Sequence, residues 1–356
     1  MKDRFDELTR LALAGELLPR ADALAMLAET NLDVLRLAAA AGDVRMAHFG
    51  RKVTVHQINN IKNGLCPEDC GYCAQSKVST AALKKYPTKD EESILAEARD
   101  AKQRGVYRYC MVASGRGPTE REAQQLAHIL RRIRDEVGIR TCLSVGLVDE
   151  STATLFKEAG LDRLNHNLNT SRTHTDKIVG THTYQDRLNT LCAAKKAGLE
   201  SCSGMIAGMG ESDGDIVDVA YELRGLEVPS IPINFLIPIA GNPLYDFNQL
   251  SPLRCLRILC MFRFVNPRAE IRVAGGREGH LRGLQSLALY PANSLFVDGY
   301  LATRGDEKSK VYKMIEDAGF EIDGHVGQHS TETAAERYVI DDSANIMNPK
   351  TAIVSG

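Results

Sequence analysis

The chain has 356 residues, with 44 Lys and Arg set against 46 Asp and Glu, so its formal net charge is -2. This balance lacks the basic excess of a nucleic-acid binder, and 44% hydrophobic with 25% charged residues is too apolar for a disordered chain. No apolar run approaches the ~18 residues that would span a bilayer. The N-terminus, MKDRFDELTR, has no apolar core of a signal peptide. We therefore expect a cytoplasmic protein that binds neither membrane nor nucleic acid.

Residues 1–50 are predicted to form an N-terminal helical extension. Leucines and alanines recur there at a spacing that keeps one apolar side in register with a 3.6-residue period. Asn31 is the expected N-cap of the helix that begins LDVLRLAAAA, and Gly42 is its expected end.

From residue 51 to 319 the pattern changes to short β-like runs that alternate with amphipathic helical stretches. Strict alternation implies parallel pairing with right-handed crossovers, and the length is close to the ~250 residues of a (β/α)8 barrel. We therefore predict an α/β fold, a TIM-type barrel. An open doubly wound sheet is the alternative, but no G-x-G-x-x-G follows the first strand. The predicted strands are 53–58, 107–113, 140–147, 162–168, 200–208, 230–237, 270–275 and 293–298.

The segment 320–356 has no sustained periodicity and is predicted to be an irregular or partly disordered C-terminal tail. Of the nine cysteines, three lie in helical patterns and are expected to be buried packing residues. These three are Cys192, Cys255 and Cys260.

The remaining cysteines need a chemical explanation, because disulfides are rare in a reducing compartment. Cys66, Cys70 and Cys73 follow the first predicted strand in NGLCPEDCGYCAQS, with the spacing C-x3-C-x2-C. A structural zinc site would need a fourth Cys or His, and none follows within the next thirty residues. Three thiolates instead fit a metal centre with one open corner, in a loop at the end of a barrel strand where such barrels keep their chemistry.

Three thiolates leave one iron of a cubane 4Fe-4S cluster free, and such clusters can be strongly reducing. The motif resembles that of the radical S-adenosylmethionine (SAM) enzymes. The resemblance implies that the open iron chelates the amino and carboxylate groups of the methionine moiety. It further implies that an electron from the cluster cleaves the sulfonium to methionine and a 5'-deoxyadenosyl radical.

Further segments narrow the resemblance. CPEDCGYCAQS, YRYCMVASGRGP, TCLSVG, NHNLNTS, CSGMIAGMGE, PINFL, NPL and RVAGGRE together resemble the biotin synthase family, over about residues 45 to 305. The resemblance implies conversion of dethiobiotin to biotin by sulfur insertion, with radicals made at C9 and then C6 and two SAM molecules consumed.

A second centre is expected inside the barrel. Cys110, Cys142 and Cys202 each lie within a different predicted strand. By resemblance they would hold a 2Fe-2S cluster, the sulfur donor, with Arg272 as an unusual nitrogen ligand. Arg108 would balance the anionic cluster or orient a carboxylate.

Polar residues on the predicted strands would bind the substrates. Side-chain amides both donate and accept hydrogen bonds, which suits a ureido ring and ribose hydroxyls. By resemblance, Asn165 and Asn234 approach dethiobiotin and Asn169 lies near the ribose, while Asn167 touches both ligands. Tyr72 would lie against the adenine. The glycine-bearing wall beside SAM would consist of Gly204, Gly208, Gly210 and Glu211.

The resemblance also implies a homodimer, a flavodoxin- or ferredoxin-type electron donor and dependence on iron–sulfur assembly machinery. Two alternatives stay open at this point. One is another radical SAM enzyme of the same barrel subgroup with a different substrate. The other is a zinc-binding structural module that uses Cys66, Cys70 and Cys73.

Overall fold

The structure, a computed structural model, describes residues 4–247, 250–301, 303 and 305–323. The described residues belong to one compact unit. None of the helices within these ranges combines the length and apolarity needed to cross a membrane. Most of the tail predicted for 320–356 lies outside the described residues, which end at 323.

A closed parallel sheet forms the centre of the unit. Every strand pairs in parallel with its neighbours, and β1 closes the ring by pairing with β9. β5 and β6 both pair with β7, so they share one of eight positions around the barrel. The predicted (β/α)8 barrel is confirmed. The strands are β1 Lys52–Lys62, β2 Arg108–Ala113, β3 Arg140–Ser144, β4 Arg163–Asn165, β5 Glu200–Cys202, β6 Met205–Ala207, β7 Ser230–Phe235, β8 Glu270–Val273, β9 Ser294–Val297 and β10 Glu321–Ile322.

Helices follow the barrel strands in turn. Three of them begin at a capping box, in which Thr119, Thr183 or Ser212 accepts a backbone hydrogen bond from the third helical residue. The barrel helices are α4 Glu91–Gln103, α5 Glu120–Arg132, α6 Glu150–Glu158, α7 Tyr184–Lys196, α8 Asp213–Gly225, α9 Pro252–Val265, α10 Arg277–Leu281 and α11 Lys308–Asp317. A π-helical turn, Ile133–Val137, extends α5, and short 3-10 turns cover Thr175–Lys177, Arg282–Leu284 and Ser286–Leu289.

The predicted strand 200–208 is interrupted at Ser203 and Gly204, which lie between β5 and β6. A Cβ atom on Gly204 would lie 1.8 Å from the carbonyl oxygen of Pro232 on β7. The backbones approach so closely here that only glycine fits. The register against β7 is the same on both sides of the break, since Cys202 pairs with Ser230 and Met205 with Ile233.

The N-terminal extension consists of α1 Arg4–Ala14, α2 Arg20–Ala28 and α3 Val34–Phe49, which pack on α8 and α9. The predicted bounds of α3 are wrong at both ends. Asp33 is the N-cap, since its side chain accepts from the Arg36 amide at 3.1 Å. Gly42 lies within α3, where an added Cβ would come within 2.9 Å of the Tyr290 ring, and the helix ends before Gly50.

Apolar side chains fill the space between the outer face of the barrel and its helices. A smaller cluster joins β1, β9 and α11 to Phe320 and to β10, which pairs with β1. Regular structure therefore continues past the predicted boundary at 319, because Phe320 and Ile322 bury apolar side chains there. The inside of the barrel keeps a cavity.

Candidate active site

A central cavity of about 390 Å³ lies within the barrel and the loops that follow its strands. Both predicted cysteine sets border on it, and so do the predicted asparagines. The predicted site residues among its lining are Cys66, Cys70, Tyr72, Cys73, Cys110, Cys142, Asn165, Asn167, Asn169, Asn234 and Arg272.

The loop after β1 carries Cys66, Cys70 and Cys73. It is held by backbone hydrogen bonds, from Gly71 to the Ile178 carbonyl at 2.9 Å and from Cys73 to the Cys70 carbonyl at 3.1 Å. Burial raises the pKa of the Cys70 thiol, and it raises that of Cys73 to about 11. A bound cation would favour the thiolates instead, so these sulfurs are suited to a metal centre.

A structural zinc site, the other class of centre considered from the sequence, requires four ligands close to one point. Among the described residues, no three Cys, His, Asp or Glu side chains converge closely enough to hold a single metal ion.

Cys110, Cys142 and Cys202 lie deeper in the barrel. Cys110 and Cys142 are direct partners in the register of β2 and β3, and interaction with Cys142 is the largest influence on the pKa of both other thiols. The contact with Cys110 raises the pKa of Cys142 to about 12 and lowers the pKa of Cys110. The three sulfurs thus form one buried group.

Arg272 on β8 lies beside this group. Its Nε donates to Ser294 Oγ at 3.0 Å and its Nη2 to Ser230 Oγ at 3.1 Å, and Nη2 also pairs with the Glu270 carboxylate. Nη1 lies 3.6 Å from Cys202 Sγ. Burial opposes the guanidinium charge, but Glu270 raises the pKa of Arg272 above its ordinary value.

Further buried ionisable groups surround the deep thiols. The sequence analysis did not predict three of them, Arg163, Glu270 and His56. Arg163 Nη1 lies 3.1 Å from Glu270 Oε1, and His56 Nδ1 lies 3.9 Å from Cys110 Sγ. Burial lowers the pKa of His56 well below its ordinary value, so the imidazole is neutral. The predicted Arg108 donates to the Thr141 carbonyl at 3.0 Å. Charged residues inside strand patterns were the only sequence signal for these groups.

The four asparagines lie along one side of the cavity. Asn165 Nδ2 is 3.2 Å from Cys202 Sγ, which places it beside the deep thiols. Asn167 accepts from the Gly204 amide at 3.1 Å, and Asn234 accepts from the Gly275 amide at 2.9 Å. Asn169 has a left-handed φ of 67° and donates to the Tyr72 hydroxyl. Hydrogen bonds within the protein therefore orient each amide before any ligand binds.

Gly208, Gly210 and Glu211 do not line the cavity. The Glu211 carboxylate accepts hydrogen bonds from the amides of Gly208 and Met209, each at 2.7 Å. Cβ atoms on the two glycines would meet Leu250 and Phe247. A place for these residues beside SAM stays a prediction, and in this structure the carboxylate stabilises the turn after β6.

Several ionisable residues that line the cavity were not predicted. They are Glu68, Arg116, His182 and Arg187. The acidic residue within the cysteine motif was a visible signal for Glu68, but nothing in the sequence connected it to residues 182 and 187. Of the cysteines assigned to packing, Cys255 and Cys260 are buried as predicted, whereas Cys192 is exposed because it lies on the outer side of α7.

Comparisons with known proteins identify the family of the chain. The Radical SAM superfamily profile matches residues 60–223, and that of the Biotin and Thiamin Synthesis associated domain matches residues 232–321. The chain is 65% identical over 341 residues to a biotin synthase of Acaryochloris marina, which covers 96% of this chain and 99% of the relative.

The chain belongs to the biotin synthase family.

A biotin synthase of Magnetococcus marinus is 50% identical over 88% of this chain and 97% of its own length. The solved structure of methylornithine synthase superposes with a TM-score of 0.78 over 88% of this chain and 97% of that protein, at 21% identity. That similarity concerns the barrel fold. The membership of the biotin synthase family confirms the resemblance that the cysteine motif and the strand segments indicated.

Proposed function

We propose that this protein converts dethiobiotin to biotin by radical SAM chemistry, using a 4Fe-4S cluster and a 2Fe-2S cluster. One observation carries the proposal: the cysteine loop and the buried thiol group border on the same cavity. A radical formed at the loop would therefore meet its substrate next to a sulfur source.

The cysteine loop fits the first cluster. Cys66, Cys70 and Cys73 supply three thiols and leave one iron for SAM, which matches a cubane with an open corner. When bound, the cluster supplies the electron that cleaves the sulfonium of SAM. The protein's part is to hold the loop in place and to orient the cofactor through Tyr72 and Asn169.

The deep site fits the second cluster. Cys110, Cys142 and Cys202 supply three sulfurs, and Arg272 directs Nη1 toward them while its other nitrogens are engaged. This cluster would be the sulfur source for the product. The raised pKa of Arg272 argues for a protonated guanidinium before the cluster enters, so ligation requires that loading displace a proton.

The substrate would lie between the two centres. Asn165 and Asn234 present oriented amides to the ureido ring, and Asn167 lies between them and Asn169. The residues of the chain thus position both reactants.

The test is anaerobic incubation of the reconstituted protein with a reductant, SAM and dethiobiotin. The proposal expects both 5'-deoxyadenosine and biotin. Deoxyadenosine without biotin would favour another radical SAM activity of the same barrel subgroup. A reconstituted protein with no cubane signal after reduction would contradict the proposal altogether.

Four further expectations stay predictions. They are a homodimer, a flavodoxin- or ferredoxin-type electron donor, dependence on iron–sulfur assembly machinery, and a cytoplasmic location. The first three follow from the family resemblance alone, and the location follows from the sequence features described above.

A further inference from the structure

A row of hydrogen-bonded side chains ties the cysteine loop to the start of α7. Glu68, between Cys66 and Cys70, is only 6% exposed. Its carboxylate accepts from Thr181 Oγ1 at 2.7 Å and from Arg116 Nη1 at 3.2 Å, and it contacts His182 Nδ1. The acid inside the motif thus contacts a histidine that lies far away along the chain.

The partners of His182 determine its tautomer. A carboxylate only accepts hydrogen bonds, so Nδ1 carries the proton. Nε2 lies 2.5 Å from Nη2 of Arg187, and a guanidinium only donates. His182 is therefore neutral, with its lone pair aimed at Arg187. Burial and the Arg187 charge lower the pKa of His182, which agrees with the neutral form.

Arg187 is held from several sides and still faces the cavity. Its Nη1 donates to the Asn167 carbonyl at 2.7 Å, and Nη2 also lies 3.3 Å from the Tyr72 hydroxyl. The side chain is buried, and its charge opposes the rise in the pKa of Cys70. Among the described residues, no carboxylate forms an ion pair with Arg187, whereas Arg116 and Arg272 each pair with one.

A buried guanidinium that lines a cavity without a carboxylate partner is suited to an anionic ligand. We propose that Glu68 and His182 are positioning residues, which set the guanidinium of Arg187 so that it meets the carboxylate of an amino-acid-bearing cofactor next to the cysteine loop. This inference rests on the proposed function, which supplies SAM as that cofactor. We call the hydrogen-bonded series Glu68–His182–Arg187 the relay, and the first two residues affect the cofactor only through Arg187.

Two substitutions at His182 separate hydrogen bonding from packing. His182→Leu removes both the donor to Glu68 and the acceptor for Arg187. His182→Gln can place its NH2 toward Glu68 and its oxygen toward Arg187, so it can restore both bonds. We expect His182→Leu to weaken SAM binding about tenfold, the effect of losing one hydrogen bond to a charged group. His182→Gln should recover most of that loss.

The readout is the dissociation constant of SAM, measured on anaerobically reconstituted protein with matched iron and sulfide content and without reductant. The turnover rate at saturating SAM should change less than about twofold in His182→Leu, because the relay affects binding. Gln185→Ala, on the exposed side of α7 where it contacts Asn189, is the matched control and should bind SAM as the unaltered protein does.

A double-mutant cycle with Arg187→Met decides whether the relay works through Arg187. In the Arg187→Met background, His182→Leu should weaken SAM binding no further. Additive losses, or a His182→Gln variant as weak as His182→Leu, would overturn the relay while leaving the proposed function intact. If the unaltered protein carries its cubane and does not bind SAM, both proposals fail.

Discussion

Arg272 Nη1 lies 3.6 Å from Cys202 Sγ, while every other nitrogen of the guanidinium is engaged by Ser294, Ser230 or Glu270. One nitrogen is thereby directed at the deep thiols, and the remaining contacts fix the plane of the group. Arg272 and Cys202 lie on β8 and β5, separated by β7, so the barrel curvature brings them together.

Replacing Arg272 with Met should impair both stability and cluster loading. The Glu270 carboxylate would lose its nearest cation in a buried site, which costs about 3 kcal/mol in the free energy of unfolding. Denaturant titration measures this loss, and iron and sulfide counts should fall while the cubane signal of the reduced protein persists. Arg99→Met, which removes only an exposed pair with Glu136, should cost less than about 1 kcal/mol. Equal losses in the two variants would contradict the role given to Arg272.

The two cysteine sets should separate in their products. Cys70→Ala should abolish both 5'-deoxyadenosine and biotin, because it removes a thiol of the cysteine loop. Cys142→Ala should reduce biotin far more than deoxyadenosine, because it removes the central thiol of the deep group. Product analysis by chromatography checks this, with Cys192→Ala as the exposed control. Proportional losses of both products in Cys142→Ala would contradict two separate centres.

Gly204→Ala should be strongly destabilising. The new Cβ would overlap the Pro232 carbonyl oxygen, so β6 or β7 would have to move, at a cost of about 3 kcal/mol or more in the free energy of unfolding. Gly225→Ala at the end of α8 is the matched control, since nothing lies within 4 Å of its added Cβ. Thermal unfolding of both variants measures the difference. A Gly204→Ala protein as stable as the control would show that the position between β5 and β6 tolerates a side chain.

Glu122 provides a pH-dependent contribution. Its hydrogen bond to Lys62 at 2.8 Å, with the Thr119 cap, lowers its pKa from 4.5 to about 2. A lowered pKa stabilises the folded state above pH 4.5, and this contribution disappears as the pH falls toward 2. Glu122→Gln should cost less than about 1 kcal/mol at pH 7, because the pair is partly exposed and screened by solvent.

The measurement for Glu122 is the difference in the free energy of unfolding between the two proteins. Taking the difference cancels the effect of acid on the rest of the chain. It should shrink between pH 5 and pH 3. A difference that stays constant with pH, or grows in acid, would contradict the assigned pKa direction.

The local sequence pattern was sufficient to predict the barrel and the cysteine loop. The alternation of strand and helix signals identified the (β/α)8 architecture, and C-x3-C-x2-C identified the loop, because each pattern is carried by neighbouring residues. The sequence pattern did not predict the role of a residue where contact with a residue distant in the chain determines that role. Gly42 resembles a helix end but accommodates the ring of Tyr290, and Gly204 resembles an ordinary strand residue but faces the Pro232 carbonyl.

The kinds of side chain at the site follow from the order of residues along the chain: three thiols in one loop, three more on separate strands, and a row of amides. The contacts that these side chains make in the folded protein do not follow from that order. Glu68 meets His182 across more than a hundred residues, and Cys202 meets Arg272 across a third strand. These contacts depend on strand register and on closure of the barrel, since both are long-range properties that set which charges are buried together.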